Sequence, residues 1–321
     1  MSKNCFVGFD TSNYTTSVAI CSDDGEIVAN IKRPLTVKDG ERGLRQSDAV
    51  FAHTKNLPEA CDELRDKLQE LDMRPVGVGV SSRPRSADGS YMPCFLAGVS
   101  AAHAFASAAD IPILEFSHQD GHVMAALYSS GEMDKLIGRP FVAFHVSGGT
   151  TEMLLASAGG DPFALSLIGE TADLNAGQVI DRVGVMLGLK FPCGAALEAL
   201  ASEYDGKIPN AKISVRSCEK IECNLSGVEN MAKKLYEDTG DKSKVAAFVF
   251  DLVCRTLVRM GELAVEKYGE LPMLFAGGVM SNKLMRQKIS AYFDAYFSEP
   301  QFSADNAAGT ALLCRRKMIR K

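Results

Sequence analysis

The hydrophobic pattern of the N-terminal segment predicts strands that are joined by polar loops. Residues 6–9 form an apolar strand, the polar run 10–13 follows it, and residues 17–20 form the next strand. Residues 23–25 have the composition of a hairpin turn, which leads into a third strand at 26–31. The chain therefore begins as strand, loop, strand, turn, strand.

The same order of elements returns in the second half of the chain. A strand at 141–144 leads into the polar loop 147–150, and a strand at 151–155, a turn at 159–161 and a strand at 163–168 follow. Phenylalanine, serine and threonine positions keep a constant offset between the two copies. The sequence therefore predicts an internal duplication, with a chance likeness between two hairpins as the alternative.

Strands and helices alternate through the rest of both halves, which is typical of an α/β fold. Predicted helices cover 48–71, 95–109, 173–189, 194–204, 245–268 and the segment that opens at 303–306, and predicted strands cover 76–80, 111–116 and 271–276. Residues 205–226 show no periodicity and are expected to be irregular. Ser281 or Asn282 is expected to cap the helix that follows.

Length and composition are those of a globular enzyme. The chain has 321 residues, of which 46% are hydrophobic and 23% charged, and no apolar run approaches a membrane span in length. The N-terminus leads straight into a strand without a signal peptide, and nine scattered cysteines fit reduced thiols in the cytoplasm. The formal net charge of −5 argues against nucleic-acid binding by the whole surface, but it allows a local basic patch or a partner that brings RNA.

The most informative stretch runs from Ser117 to His122 and carries two of the five histidines. His118 and His122 are four residues apart, so that on a helix both imidazoles share one face and can hold one ion. With a carboxylate from elsewhere they would form a three-ligand site suited to Zn²⁺ or Fe²⁺. Two solvated histidines on a surface helix are the alternative. A His-Glu-x-x-His peptidase site is disfavoured, because Gln119 replaces the glutamate.

The place of this pair in the predicted fold favours the metal site. The strand at 111–116 delivers both histidines at its carboxyl end, where ligands bind in open α/β sheets. Asp305 is the candidate third ligand. It also stands at a predicted helix start, where capping is the usual role of an aspartate, and the two roles compete for the same oxygens.

Two glycine loops point to a nucleotide. Ser147-Gly148-Gly149 and Gly277-Gly278 each follow a predicted strand, and the amides of such loops can cradle a phosphate. A tight turn is the simpler interpretation of either glycine pair. We expect the loops to lie in the two duplicated lobes and to face each other across a cleft, which favours the nucleotide. Asp181, within an apolar helix, could bind a ribose hydroxyl or be a plain surface carboxylate.

Taken in order, these segments resemble one known family. The motifs are Asp-Thr-Ser at 10–12, His-x-x-x-His at 118–122, Val-Ser-Gly-Gly-x-Thr at 146–151, Gly-Glu-Thr at 169–171, Ala-Gly-x-x-x-Asp at 176–181, Leu-Gly-Leu-x-Phe-Pro-x-Gly at 187–194, Leu-Ser-Gly at 225–227, Ala-Gly-Gly-Val-x-x-Asn at 276–282 and Asp-Asn at 305–306. This set is similar to that of the TsaD family of threonylcarbamoyladenosine synthase subunits, also known as glycoproteases, O-sialoglycoprotein endopeptidase-like or peptidase M22-like proteins. The likeness extends from about Cys5 to Cys314.

The resemblance implies a two-lobed actin/hexokinase-like fold (ASKHA, ribonuclease H-like) with duplicated lobes and a nucleotide cleft between them. Residues 1–116 would form the N-terminal lobe, with a C-terminal helix at about 305–321 packed back on it. Residues 117–304 would form the C-terminal lobe.

The resemblance also implies the site residues. His118, His122 and Asp305 would hold one divalent metal, Fe²⁺ or Zn²⁺, and Asp10 would be the catalytic carboxylate. The residues expected to bind an adenine nucleotide or threonylcarbamoyl-AMP are His145, Val146, Ser147, Gly148, Gly149, Asp181, Gly194 and Asn282.

The implied activity is transfer of a threonylcarbamoyl group from threonylcarbamoyl-AMP to N6 of adenine 37 in tRNA. The resemblance implies that accessory proteins take part, and the cysteine content favours a cytoplasmic location. A homodimer and a hetero-complex are both compatible with the sequence, and no membrane association is expected.

Three departures from the family pattern suggest a divergent paralogue. Asn13-Tyr14-Thr15-Thr16 replaces Cys-Asp-Glu-Thr, so that Tyr14 and Thr15 stand where the family has an acidic pair. Arg83-Pro84-Arg85 replaces a Gly-Pro-Gly loop, and Ser226-Gly227-Val228-Glu229 replaces Ser-Gly-Leu-Lys. Two alternatives therefore stay open. One is carbamoyl transfer to a small molecule or protein that the two arginines recognise, and the other is a non-catalytic binder of adenine nucleotides.

Overall fold

The structure, a computed structural model, describes residues 2–12, 14–36, 44–158 and 163–319, so that Asn13 and the turn predicted at 159–161 lie outside the described residues. Its strands are β1 (Lys3–Asp10), β2 (Thr15–Ser22), β3 (Ile27–Pro34), β4 (Met73–Arg83), β5 (Ile113–Ser117), β6 (Phe141–Val146), β7 (Thr151–Ser157), β8 (Ala164–Thr171), β9 (Ser214–Ser217), β10 (Ile221–Asn224), β11 (Met273–Ala276) and β12 (Ala295–Phe297). Its helices are α1 (Gln46–Glu70), α2 (Phe95–Ala109), α3 (His118–Ser129), α4 (Met133–Leu136), α5 (Ala176–Met186), α6 (Gly194–Ser202), α7 (Ser226–Thr239), α8 (Lys242–Tyr268), α9 (Lys283–Ile289), α10 (Pro300–Ser303) and α11 (Ala308–Ile319), with a 3₁₀ helix at Gly278–Ser281.

Two compact units divide the chain. The first comprises Met1–Gly131 together with Gln301–Lys321, and the second comprises Glu132–Pro300. The first unit extends past the boundary expected after residue 116 and takes in α3, because α3 packs against the C-terminal helix α11. On the C-terminal side the division falls before Gln301 instead of at residue 305.

The first unit contains a five-stranded sheet in the order β3-β2-β1-β4-β5. β1 is antiparallel to β2 and parallel to β4, and β4 is parallel to β5. Alternate residues of a strand face opposite sides of a sheet. In β1, Val7 and Phe9 belong to a core shared with α1 and α2, whereas Gly8 faces α11. Helices therefore cover both sides of the sheet, as its parallel strands require.

The second unit repeats this arrangement. Its sheet has the order β12-β11-β6-β7-β8-β10-β9. Read from the other side, five consecutive strands, β8-β7-β6-β11-β12, correspond to β3-β2-β1-β4-β5 of the first unit in order and in strand direction. The predicted duplication is therefore confirmed at the level of topology. The helix α8, 27 residues long, lies in the core of this unit. None of the described helices is both long and apolar enough to cross a membrane.

One stretch that is expected to be irregular contains strands. Residues 205–226 include β9 and β10, which extend the second sheet beyond β8. β10 buries Ile221 and Cys223, while most of β9 is exposed. The expectation is wrong here because four-residue strands contain too few alternations to stand out in the sequence.

The C-terminal helix packs on the first unit through glycine contacts. A Cβ added to Gly309 on α11 would lie 1.8 Å from the carbonyl oxygen of Gly121 on α3. A Cβ added to Gly8 or Gly79 in the sheet would lie 2.4 or 2.5 Å from backbone oxygens at the N-terminal end of α11. Larger side chains at these positions would push the helix away from the sheet and from α3.

We expect Gly309→Ala to lower the free energy of unfolding by about 1–3 kcal/mol, because the added methyl group overlaps a backbone oxygen that cannot rotate away. The measurement is the denaturation midpoint of the purified protein. Gly227→Ala in α7 is the matched control, since its added Cβ meets no atom within 4 Å and alanine favours a helix over glycine. An unchanged midpoint for Gly309→Ala would contradict this close packing.

Candidate metal centre and glycine loops

The carboxyl ends of parallel strands in the first unit bring polar side chains together. β1 ends at Asp10, and β5 ends at Ser117, directly before α3 begins at His118. The hydroxyl of Ser117 accepts a hydrogen bond from the amide of Asp120 at 3.1 Å and so caps α3. The cap fixes the first turn of α3, and with it the position of His118 at this edge of the sheet.

His118, His122 and Asp305 come together at this edge. Nε2 of His118 lies 3.5 Å from Oδ1 of Asp305, and Nε2 of His122 lies 3.2 Å from the same oxygen. One ligand atom from each residue lies within 4.8 Å of the other two. The two imidazole rings have centroids 4.2 Å apart, in agreement with one helical face at i and i+4.

Asp305 faces the histidines, and its neighbours cap the helix. α11 begins at Ala308, whose amide donates to Oδ1 of Asn306 at 3.1 Å. The amide of Ala307 donates to Oγ of Ser17 at 2.9 Å. The competition between capping and metal binding expected for Asp305 is thus removed, because other side chains satisfy these amides.

The cluster is a buried arrangement of opposite charges. Burial would raise the pKa of Asp305, but hydrogen bonds and charges from His118 and His122 hold that pKa well below its usual value. Burial by itself would lower the pKa of His118. The negative charge of Asp10 and the hydrogen bonds to Asp10 and Asp305 outweigh burial, so that the pKa of His118 is raised to about 10. Without a metal, His118 is therefore protonated at neutral pH.

Asp10 lies on the other side of the His118 ring. Its Oδ2 accepts a hydrogen bond from Nδ1 of His118 at 2.9 Å, and its Oδ1 accepts from the amide of Ser12 at 2.9 Å and from the Ser12 hydroxyl. Burial would raise the pKa of Asp10, but His118 and the hydroxyl donors lower it overall. A carboxylate with both oxygens engaged inside the protein is poorly placed for the catalytic role expected of Asp10.

The donor set fits a divalent transition metal. Two imidazole nitrogens and one carboxylate oxygen are ligands that suit Fe²⁺ and Zn²⁺, and three protein ligands leave positions for a further group. His118 also has a carboxylate on its second nitrogen, which metal-bound histidines usually have.

A lysine without any sequence signal lies near this cluster. Nζ of Lys32 on β3 donates to the carbonyl oxygen of Gln301 at 2.6 Å. Burial lowers its pKa, and the charge of Asp305 acts in the opposite direction. Only the pairing of β3 with β2 brings this cation to the chain segment that carries Asp305.

Both glycine loops lie in the second unit, which corrects the expectation that each lobe carries one. The loop 147–149 follows β6, and Gly277-Gly278 follows β11. β6 and β11 are parallel neighbours, so that both loops stand at one edge of the sheet. Gly277 has a φ of 99°, and its added Cβ would lie 2.2 Å from the carbonyl oxygen of Val146. Glycine is therefore needed at 277 for the turn itself.

The loop 147–149 combines open glycines with a helix N-terminus. A Cβ added to Gly148 or Gly149 meets no atom within 4 Å. The amide of Gly177, in the first turn of α5, donates to the carbonyl oxygen of Ser147 at 3.1 Å, and a Cβ on Gly177 would lie 2.7 Å from Gly148. The positive end of the α5 dipole is therefore next to the loop, which favours an anion such as a phosphate.

The two residues before this loop complete β6. Val146 is fully buried, and its backbone packs directly against Gly277. His145 is half-buried and stands opposite Glu152 in the ladder with β7. In the duplicated topology, His145 takes the strand-end position that Asp10 has in the first unit.

A hydrogen bond connects Asp181 to Cys193, the residue before Gly194. Oδ1 of Asp181 on α5 accepts from the amide of Cys193 at 2.8 Å, directly before α6 begins at Gly194. A Cβ added to Gly194 meets no atom within 4 Å. Burial raises the pKa of Asp181, and the Cys193 amide acts against it. Oδ2 of Asp181 makes no hydrogen bond within the described ranges.

Asn282 caps α9 and keeps one buried donor unused. Its Oδ1 accepts from the amide of Met285 at 2.8 Å, which also identifies the oxygen of the side-chain amide. Its Nδ2 is buried and has no hydrogen-bond partner in the part of the chain that the structure describes. Leaving a buried donor unpaired costs about 1–3 kcal/mol, so this nitrogen is suited to a ligand acceptor.

Sequence reasoning missed Glu198. This residue lies one turn after Gly194 on α6, and its Oε1 accepts a hydrogen bond from the amide of Lys283 at 2.7 Å. It therefore joins α6 to the start of α9, next to Asn282. No local pattern marks Glu198, because its partner Lys283 lies 85 residues away in the sequence.

The substituted loop at 83–85 packs along α3. Arg83 is the last residue of β4 and stands opposite Ser117. The carbonyl oxygen of Pro84 accepts from the amide of Gln119 at 3.0 Å, and the hydroxyl of Ser86 donates to Asp120 at 2.8 Å. The loop therefore lies against the helical turn that carries His118.

The substitution at 226–229 has a partner within the second unit. Oε2 of Glu229 on α7 lies 3.1 Å from a guanidinium nitrogen of Arg182 on α5. Both side chains are at least one-third exposed, so this pair contributes little to stability.

A comparison with known families gives a match that spans most of the chain. The TsaD family, described as tRNA N6-adenosine threonylcarbamoyltransferase, matches residues 26–312. Relatives with this description from Streptococcus suis (strain 05ZYH33) and Streptococcus pneumoniae (strain Taiwan19F-14) are each 29% identical over 304 residues. The alignments cover 91% of this chain and 84% of each relative.

Solved structures share the fold at low sequence identity. Full-length HypF in the phosphate- and nucleotide-bound form has a TM-score of 0.63 at 12% identity. The superposition covers 100% of this chain and 47% of HypF. The ROK hexokinase from Thermus thermophilus has a TM-score of 0.52 at 12% identity, covering 99% of this chain and 100% of that one. These likenesses confirm the expected actin/hexokinase-like fold.

We expect metal binding to release protons and to strengthen as the pH rises through neutrality. A ligating imidazole must be neutral, so the raised pKa of His118 makes the apparent affinity increase up to about tenfold per pH unit below about pH 10. Calorimetric titration with Zn²⁺ between about pH 6 and pH 8, in buffers of different ionisation heat, measures both effects.

A ligating histidine with an ordinary pKa would give a different dependence of metal affinity on pH. With an unshifted pKa of about 6.5, the affinity would level off above pH 7. His103→Ala, at an exposed position outside the cluster, is the control and should keep the parent slope. A flat profile from about pH 7 to pH 8 with no proton release would contradict the expectation.

Proposed function

The chain belongs to the TsaD family of tRNA N6-adenosine threonylcarbamoyltransferases, and on this basis we propose that it transfers a threonylcarbamoyl group from threonylcarbamoyl-AMP to N6 of adenine 37 in tRNA, with accessory proteins. The observation that supports this most is the buried cluster of His118, His122 and Asp305. The two histidines lie far from Asp305 in the sequence, but the fold brings all three together as one set of metal donors. The match to the family spans nearly the whole chain.

In this proposal, His118, His122 and Asp305 hold one divalent ion, Fe²⁺ or Zn²⁺. Such an ion with open positions supplies Lewis acidity to an acyl-phosphate linkage. The capped first turn of α3 keeps both imidazoles on one face, and the packing of α11 holds Asp305 opposite them. These residues therefore contribute preorganised charge and position, which are the main sources of catalysis in group transfer.

The nucleotide is assigned to the second unit. The open space at Gly148 and Gly149, next to the positive end of the α5 dipole, is suited to the phosphate. Oδ2 of Asp181 can accept a hydrogen bond from a ribose hydroxyl, and Nδ2 of Asn282 can donate to the nucleoside. Gly194 leaves open space beside these groups. This assignment follows the residues expected from the sequence and adds Glu198 next to them.

A second candidate function keeps the carbamoyl chemistry and changes the acceptor. It is favoured by the loop at 83–85, which carries two arginines along the turn of α3 that bears His118. A guanidinium group binds a carboxylate or a phosphate through paired hydrogen bonds. The acceptor would then be an anionic small molecule or protein segment.

Asn282→Asp is expected to weaken AMP binding about tenfold, because it replaces the unpaired donor by an acceptor and so removes one hydrogen bond to the ligand. The variant keeps an oxygen that can cap α9, so that the denaturation midpoint should stay close to that of the parent. Calorimetry with AMP measures the affinity. Asn210→Asp, an exposed position, is the charge-matched control. Equal affinities for all three proteins would contradict the assignment.

The acceptor is tested in cells depleted of every TsaD-family protein. Expression of this chain should restore threonylcarbamoyladenosine in tRNA, measured by mass spectrometry of nucleosides. His118→Ala should lose both bound metal and restoration, because it removes a ligand, whereas His103→Ala should restore fully. Full restoration by a metal-free His118→Ala protein would contradict the metal assignment. Failure of the parent chain to restore the nucleoside, despite bound metal and nucleotide, would favour the second candidate.

A further inference from the structure

Each ring nitrogen of His118 faces a different carboxylate. Nδ1 lies 2.9 Å from Oδ2 of Asp10, and Nε2 lies 3.5 Å from Oδ1 of Asp305. A neutral imidazole carries one N–H and one lone pair, and the hydrogen bond at one nitrogen decides which nitrogen is free to bind a metal. The contact at Nδ1 is therefore the one that determines what Nε2 can do.

We propose that Asp10 is a positioning residue for the metal centre, which accepts the Nδ1–H of His118 and so directs the Nε2 lone pair toward the ion. This inference rests on the metal site of the proposed function, and it replaces the catalytic role expected of Asp10 from the sequence. Asp10 does not touch the ion or the substrate. It acts through the orientation and basicity of one ligand.

Hydrogen-bond donors from the protein hold the Asp10 carboxylate in place. Oδ1 accepts from the Ser12 amide at 2.9 Å and from the Ser12 hydroxyl, and the Ser81 hydroxyl also hydrogen-bonds to the carboxylate. Ser81 in turn lies 3.1 Å from the hydroxyl of Thr310 on α11. With its side chain only 1% exposed, Asp10 can persist as a carboxylate only because these groups replace water.

The same network argues against a role for Asp10 as a general base. A base must reach a proton of the substrate through a free oxygen, but both oxygens of Asp10 are engaged with groups of the protein. The network also links four elements of the first unit, namely β1, β4, α3 and α11. A change at residue 10 should therefore alter the affinity of the site for the metal ion.

Asp10→Asn in the full chain is expected to weaken Zn²⁺ and Co²⁺ binding about 10- to 100-fold, the usual effect of changing the partner of a ligating histidine, because the amide removes the negative charge and one of the two acceptor oxygens. Calorimetry measures the affinity, and nitrogen chemical shifts of the imidazole report whether Nδ1 still carries the proton. Glu115→Gln, on an exposed residue of the neighbouring strand β5, is the matched control and should bind both metals like the parent.

Saturating metal separates positioning from catalysis. If Asp10 only positions His118, Asp10→Asn should regain most of the parent's transfer rate once its site is filled. A fully metal-loaded Asp10→Asn protein that stays inactive would overturn the proposal, as would parent-like metal affinity and an unchanged imidazole tautomer. Failure of the parent itself to bind either metal would instead overturn the metal site on which this inference rests.

Ser81→Ala provides a second variant in case Asp10→Asn does not fold. It keeps the carboxylate but removes one of the hydroxyl groups that hold it. We expect a loss of metal affinity of a few fold, in the same direction and smaller, because two donors from Ser12 remain. Parent-like affinity in Ser81→Ala, together with a parent-like tautomer of His118, would contradict the network.

Discussion

The close approach of the C-terminal helix to α3 is the constraint on which the first unit depends. Gly309 meets the carbonyl oxygen of Gly121 where a Cβ on residue 309 does not fit, and Gly8 and Gly79 allow the sheet to approach α11 closely. This packing covers one face of the sheet and at the same time brings Asp305 to a helix that begins far earlier in the chain. A change at these glycines should therefore affect both the stability of the unit and the geometry of the candidate metal centre.

Features that depend on neighbouring residues were predictable from the sequence. The two histidines at i and i+4 fall on one face of α3, and the strand before them ends where expected, because local periodicity determines both. The repeated pattern of hairpins predicts the three consecutive strands that pair as β1-β2-β3 in the first unit and as β6-β7-β8 in the second. The helix at 95–109 was predicted with its observed bounds.

Features that depend on long-range packing could not be read in this way. The boundary expected after residue 116 fails because α3 is bound to α11, a contact that local pattern does not encode. The two glycine loops share one sheet because β11 pairs beside β6, although the chain between them is long. The two roles expected for Asp305, capping and metal binding, are separated by Asn306 and Ser17, whose side chains accept from the amides of that turn. The contact between Asp10 and His118 joins the ends of β1 and β5, which the parallel sheet places at one edge with β4 between them.

The split composition of the first unit has a consequence for biosynthesis. Its sheet and both histidines precede the continuous second unit in the chain, and the segment with Asp305 and α11 follows that unit. The second unit has a core of its own and can fold while the first still shows an uncovered face. The two imidazoles therefore meet Asp305 and the covering helix only after the whole second unit has been synthesised, so that this side-chain cluster assembles late in the biosynthesis of the chain.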